Sequence, residues 1–205
     1  MSTVNATAIK PTYNCCNVMI WPMTSESNET YGDGIDFTGK LMTYDDQVSS
    51  NTAKLYGDGI IAQVDIDETD GTLTLGLIDV PQTAYEKLFG TPAAVGTTIK
   101  TIAETGEEAP PYCCVALMAQ TGPNTYNFRK WPKVRFAKMN ETVQQKEENR
   151  NYATPTLTGT FIKCKRLGYK RAKVWDVDIT SEGGAAFKTN WYASPEFYYE
   201  GQTIS

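Results

Sequence analysis

The chain has 205 residues, of which 40% are hydrophobic and 21% charged, with a net charge of −5; this is the composition of an ordinary globular protein with room for one sizeable domain. No apolar run approaches the roughly 20 residues that span a bilayer, and the opening MSTVNATAIKPTYN lacks the apolar core of a signal peptide, so a chain made and kept in the cytoplasm is expected. Histidine is absent, which removes the commonest general base, the commonest transition-metal ligand and every Ser-His or Cys-His nucleophile arrangement.

Residues 14–21, NCCNVMIW, read as an apolar strand that Pro22 stops or confines to an edge. Residues 25–39 are polar and glycine-rich and read as a loop, so the first 40 residues are expected to be an N-terminal arm or loop region. This loop contains Tyr31-Gly32-Asp33-Gly34-Ile35, which recurs as Tyr56-Gly57-Asp58-Gly59-Ile60; both copies read as turns. Residues 41–44 predict a short strand.

The segment 54–90 is the most informative. Ile60, Ala62, Val64 and Ile66 alternate with polar residues, and after Asp70-Gly71 the alternation resumes with Leu73, Leu75 and Leu77. Period two means strands with one dry face. Asp-Gly is favoured in a tight turn, so a hairpin is predicted with Ile66 opposite Leu75, Val64 opposite Leu77 and Asp67 opposite Thr74. A short helix follows over about 80–89: Pro81 suits its first position, Gly90 before Thr91-Pro92 is a stop signal, and Ala84, Tyr85, Leu88 and Phe89 fall on one face.

A connection rich in Thr, Glu, Gly and Pro occupies 90–111, with a further strand possible at 98–102. Residues 112–120, YCCVALMAQ, form an uninterrupted apolar run of the kind expected for a buried strand, and Thr121-Gly122-Pro123-Asn124 turns the chain. Residues 126–136 alternate aromatic or apolar residues with cations, and Pro132 restricts them to an edge or a bulge. Residues 139–152 are strongly polar and fit a helix, a hairpin tip or an arm equally well. Threonine-rich 154–164 and alternating 174–179 read as strands. Strands outnumber helices throughout, and the expected architecture is one mainly β domain, a β-sandwich or barrel-like sheet with one flanking helix.

Five cysteines, Cys15, Cys16, Cys113, Cys114 and Cys164, give an odd count in adjacent pairs, which fits core cysteines better than disulfides or zinc. Asp65, Asp67 and Asp70 do not keep the spacing of a calcium loop, where glycine is sixth and glutamate twelfth. Residues 1–108 carry 5 Lys/Arg against 16 Asp/Glu, and residues 109–205 carry 14 against 8. Mapped to different surfaces these halves would attract head to tail; interleaved strands would mix them instead. The cations Arg129, Lys130, Lys133, Arg135, Lys163, Lys165 and Arg166 are the predicted inter-subunit surface. Trp131, Trp175, Trp191 and Tyr192 could alternatively line a carbohydrate-binding cleft, and Asp45-Asp46 could serve as acid and base, although neighbours on a strand point apart.

Several blocks, in order over residues 50–165, resemble the major tail tube protein family of long-tailed, siphovirus-type bacteriophages. They are Leu55-Tyr56-Gly57-Asp58 with the strand after it, Leu73 to Gly90, Tyr112 to Leu117 before a turn, and Tyr152 to Thr160 ending in Pro155-Thr156-Leu157-Thr158-Gly159-Thr160. The resemblance implies a β-sandwich with a flanking helix, assembling into hexameric rings that stack head to tail as a virion tail tube. It implies assembly in the host cytoplasm and partnership with the tape-measure, tail terminator and tail-tip proteins. Double-stranded DNA would pass without specific binding, and no membrane, cofactor, metal or catalytic residue is expected. A conduit must not grip its cargo, and acidic side chains repel phosphates over roughly 8 Å at physiological salt. Gln63, Asp65, Asp67 and Thr74 are therefore the predicted lumen face.

Overall fold

The computed structural model describes residues 10–57, 60–96, 98–139, 154–199 and 202. Within them lie nine strands: β1 (Tyr13–Ser25), β2 (Thr30–Tyr31), β3 (Ile35–Asp36), β4 (Leu41–Gly57), β5 (Ile60–Leu77), β6 (Tyr112–Gln120), β7 (Thr125–Phe136), β8 (Thr156–Phe161) and β9 (Ala172–Asp178). Two helices flank them, α1 (Gln82–Phe89) and α2 (Glu182–Ala193). Every pairing is antiparallel, in the order β2-β1-β6-β7-β8-β5-β4, with β3 on β1 and β9 on β7. The sheet curls until β1 returns beside β4, where the Cys15 thiol donates to the Met42 carbonyl at 3.3 Å. The mainly β, barrel-like architecture is as expected. The second helix is not.

Strand β6 explains the layout. Its alternate residues enter two cores: Cys113, Val115 and Leu117 face one, and Cys114, Ala116 and Met118 the other. The first core adds Leu73, Leu75 and Leu77 of β5, Leu157 and Phe161 of β8, and Ala84, Leu88 and Phe89 of α1. The second core is closed by Phe187 and Trp191 of α2 with Phe197 beyond it. Fully burying a large side chain contributes about 1.5–3 kcal/mol, so both short helices are held by packing rather than by propensity. Helix α1 ends at Gly90 in the left-handed region (φ 64°), where a Cβ would lie 2.7 Å from the Ala109 carbonyl oxygen. Helix α2 starts at Ser181, whose hydroxyl accepts from the Gly184 amide at 3.1 Å. Gly184 sits so close to the Asp178 carbonyl that no side chain fits.

Several expectations need correction. Residues 13–40 are not an arm: β1 runs through Pro22 and pairs along β6, and β2 and β3 interrupt the expected loop. The short strand at 41–44 is the start of a 17-residue β4. Asp70-Gly71 is not a turn. Strand β5 passes straight through it and pairs instead with β4, out to Gly57 opposite Ile60; Asp58 and Gly59 of the second Tyr-Gly-Asp-Gly-Ile copy, read as a turn, lie outside the described residues. At 98–102 there is only an isolated bridge, Val95 to Thr101. Pro132 does sit at a bulge, between the part of β7 paired to β9 and the part paired to β8. Residues 140–152 of the polar segment lie outside the described residues.

Candidate assembly surfaces

The β4–β5 hairpin outruns the body. From Gly71 to Gly76, β5 is held between β4 and β8; from Ile60 to Glu68 it pairs with β4 alone. At ~3.3 Å per residue this free part is an arm roughly 25–30 Å long. Register is regular from Thr43 opposite Gly76 to Val48 opposite Gly71 and resumes with Ser50 opposite Glu68, so Thr69 and Asp70 together oppose Ser49. That is a β-bulge, and one extra residue inverts the phase of everything beyond it. Val64 and Ile66 therefore continue the face of Leu73, Leu75 and Leu77, joined across the strands by Thr52 and Lys54. Gln63, Asp65 and Asp67 continue the face of Thr72 and Thr74, joined by Asn51, Ala53 and Leu55.

The four residues Gln63, Asp65, Asp67 and Thr74 thus share one face of one strand. They lie there through a bulge rather than through the hairpin that grouped them in the sequence. The Gln63 amide donates to Asp65 at 2.8 Å. The opposite face of the arm carries the apolar side chains among Thr52 and Lys54, and among the described residues nothing covers them: Ile66 is 67% exposed and Val64 47%. A second shift near the tip, Leu55 opposite Gln63 and then Tyr56 opposite Ile61, brings Tyr56 and Ile61 onto this same apolar face. The face predicted from alternation exists, but among the described residues it is left open rather than dry.

Two of the seven residues of the predicted basic surface are internal. Lys130 is fully buried, and its ammonium donates to the carbonyls of Trp191 (3.0 Å), Ser194 (2.8 Å) and Phe197 (2.7 Å) with the Trp191 ring 4.5 Å away. Burial pushes its pKa down to about 8, against a smaller opposing influence of Cys114. Lys133 is also buried, 2.5 Å from Glu29. Neither belongs to an outer surface of the folded subunit. Arg135 pairs with Glu26 and stacks on Tyr112. Arg129 donates to the Phe128 and Val174 carbonyls and lies under Trp175. Arg166 pairs with Glu196 at 2.6 Å, which leaves Lys163 and Lys165 as the exposed members without an ion pair among the described residues.

Sequence patterns missed Glu29. It lies in the presumed loop, 3% exposed with φ 51°, and accepts from Lys133, the Arg166 amide (2.7 Å) and the Cys164 thiol (3.1 Å). Burial raises its pKa, but the bond from Lys133, then those from the Arg166 amide and Cys164, outweigh it and hold the carboxyl at about 2. One of two glutamates in Ser25-Glu26-Ser27-Asn28-Glu29 carries no pattern that announces such a role.

The aromatic cleft does not form. Trp131 and Trp191 are fully buried in different cores, while Trp175 stands 61% exposed on a bulge of β9 made by Asp176 (φ 53°). Asp45 and Asp46 point apart: Asp45 accepts from Gln47 at 2.6 Å, and Asp46 is bound by Arg171 at 3.1 Å and Lys173 at 3.4 Å. All five cysteines are free thiols, and no cluster of His, Cys, Asp or Glu suited to a metal is present among the described residues. No helix among them is long and apolar enough to cross a membrane.

No family model matches this chain, and no curated protein does. Among solved structures it is similar to a chain in the cryo-EM structure of the anti-feeding prophage (AFP) baseplate, 6-fold symmetrised. The TM-score is 0.42 and the identity 8%, over 85% of this chain and 98% of that one. A likeness at that level says nothing of what this chain does.

Proposed function

We propose that the chain is a structural protein of a bacteriophage virion, a tail tube subunit that assembles as hexameric rings stacked into a hollow tube. One observation carries the reading: the body is closed over two cores, yet its longest hairpin leaves it as an arm with exposed apolar side chains on one face and Asp65 and Asp67 on the other. A patch of Tyr56, Ile61, Val64 and Ile66 is costly to leave in water, and such surfaces mark contacts with another molecule. Stacking copies in a ring gives every arm the same neighbour. The acidic face then lines the lumen through Gln63, Asp65, Asp67 and Thr74, where it repels DNA phosphates. The order of sequence blocks resembling tail tube proteins supports the same reading.

In this reading the tube encloses a tape-measure protein during assembly, meets tail terminator and tail-tip proteins at its ends, conducts double-stranded DNA into the host, and performs no catalysis. Electron microscopy of the concentrated purified protein tests it. Rings or tubes with a central hole are expected; a monodisperse monomer at high concentration would overturn it.

A further inference from the structure

The bulge that inverts the arm is spanned from outside by one side chain. Asp46 lies on the body side of the bulge, opposite Leu73, and Glu68 is the first paired residue on the arm side, opposite Ser50. Arg171, just before β9, reaches both. One of its amino groups lies 3.1 and 3.4 Å from the two carboxylate oxygens of Asp46, and the other lies 3.6 Å from Glu68. Lys173 supports Asp46 at 3.4 Å, and the Lys170 ammonium donates to the main-chain carbonyl of Glu68. A planar guanidinium with donors fixed in a fork holds two carboxylates in a set direction, which a flexible ammonium does not.

We propose that Arg171, with Lys170, is a brace across a hinge: it sets the angle at which the arm leaves the body, and the arm swings about the bulge at Ser49 and Thr69-Asp70 when the brace opens. The two halves differ in environment. Asp46 is 9% exposed and Glu68 40%. Salt shortens the screening length from about 10 Å at 0.1 M to about 3 Å at 1 M and weakens exposed pairs far more than buried ones. Arg171 therefore stays on Asp46 while its grip on Glu68 opens, and Glu68 is the releasable end. Only the consequence for docking, that a braced arm meets a second copy at a lower concentration, rests on the assembly reading above.

Distances between spin labels carried by non-canonical amino acids at position 53 of the arm and position 124 of the body test the brace in the isolated subunit. One narrow distribution is expected at 0.1 M salt. Glu68→Gln and Arg171→Met should each raise the population away from it about fivefold, the scale that loss of one partly exposed ion pair permits, and 1 M salt should move the unsubstituted arm but hardly the Glu68→Gln arm. Identical distributions in all three proteins would overturn the brace. Shifted distributions in a protein that stays monomeric at every concentration would keep the brace and reject the assembly reading. Shifted distributions with an unchanged assembly concentration would remove the brace from docking.

Discussion

At the residue scale, the most consequential polar group is one in a segment that reads as loop. Glu29 is buried against Lys133, and removing one partner of a buried pair leaves an uncompensated charge costing roughly 3–5 kcal/mol. Glu29→Gln is expected to lower stability on that scale in urea unfolding at neutral pH. The pH dependence has a fixed sign. Because the folded-state pKa is depressed from 4.5 to about 2, the stability this carboxylate contributes is present above about 4.5 and is lost as pH falls towards 2. The gap between unsubstituted protein and Glu29→Gln should therefore narrow across that window. A gap independent of pH would mean that the carboxylate does not act through its charge. Neither Glu29 nor the three-carbonyl cradle of Lys130 was legible in the sequence, because each is assembled from partners about 60 or more positions away.

At the element scale, the arm shows how two different structures write the same pattern. A two-residue turn and a one-residue bulge both shift an alternation by one step, so even-numbered apolar residues before Asp70-Gly71 and odd-numbered ones after it fit either. What decides is the partner strand, and β4 was legible only for its first few residues because its later ones, Ser49 to Lys54, are polar apart from Ala53 and face water. Where burial writes the pattern the reading was right: the uninterrupted run of β6 matches the strand residue for residue. Helix α2 hid behind Gly183-Gly184, poor helix formers of which Gly184 is required by close approach to Asp178. On the arm itself, Ile66→Lys replaces a side chain that touches little in the subunit. Its unfolding free energy should change by no more than about 0.5 kcal/mol, while sedimentation shows assembly lost. A large drop in stability would instead mean that Ile66 packs within its own subunit.

At the scale of the whole molecule, the acidic and basic halves of the sequence are woven together. Apart from Lys40–Asp79 and Arg166–Glu196, the described ion pairs join residues before 109 to residues after it. The split in charge along the chain is thus mostly a record of strand pairing, and what remains as a distinct surface is the acidic face of the arm. On the tube reading proposed above, Asp65→Lys with Asp67→Lys tests that surface: tubes should form as before, while DNA ejection from particles carrying them is impaired. Normal ejection would place this face away from the lumen. Finally, β6 belongs to both cores at once, Cys113 on one side and Cys114 on the other, so neither core can melt and leave the other standing. Heat should meet a single cooperative unit, with the calorimetric enthalpy equal to the van't Hoff enthalpy in one transition; on the assembly reading proposed above, such a subunit would join its neighbours whole or not at all.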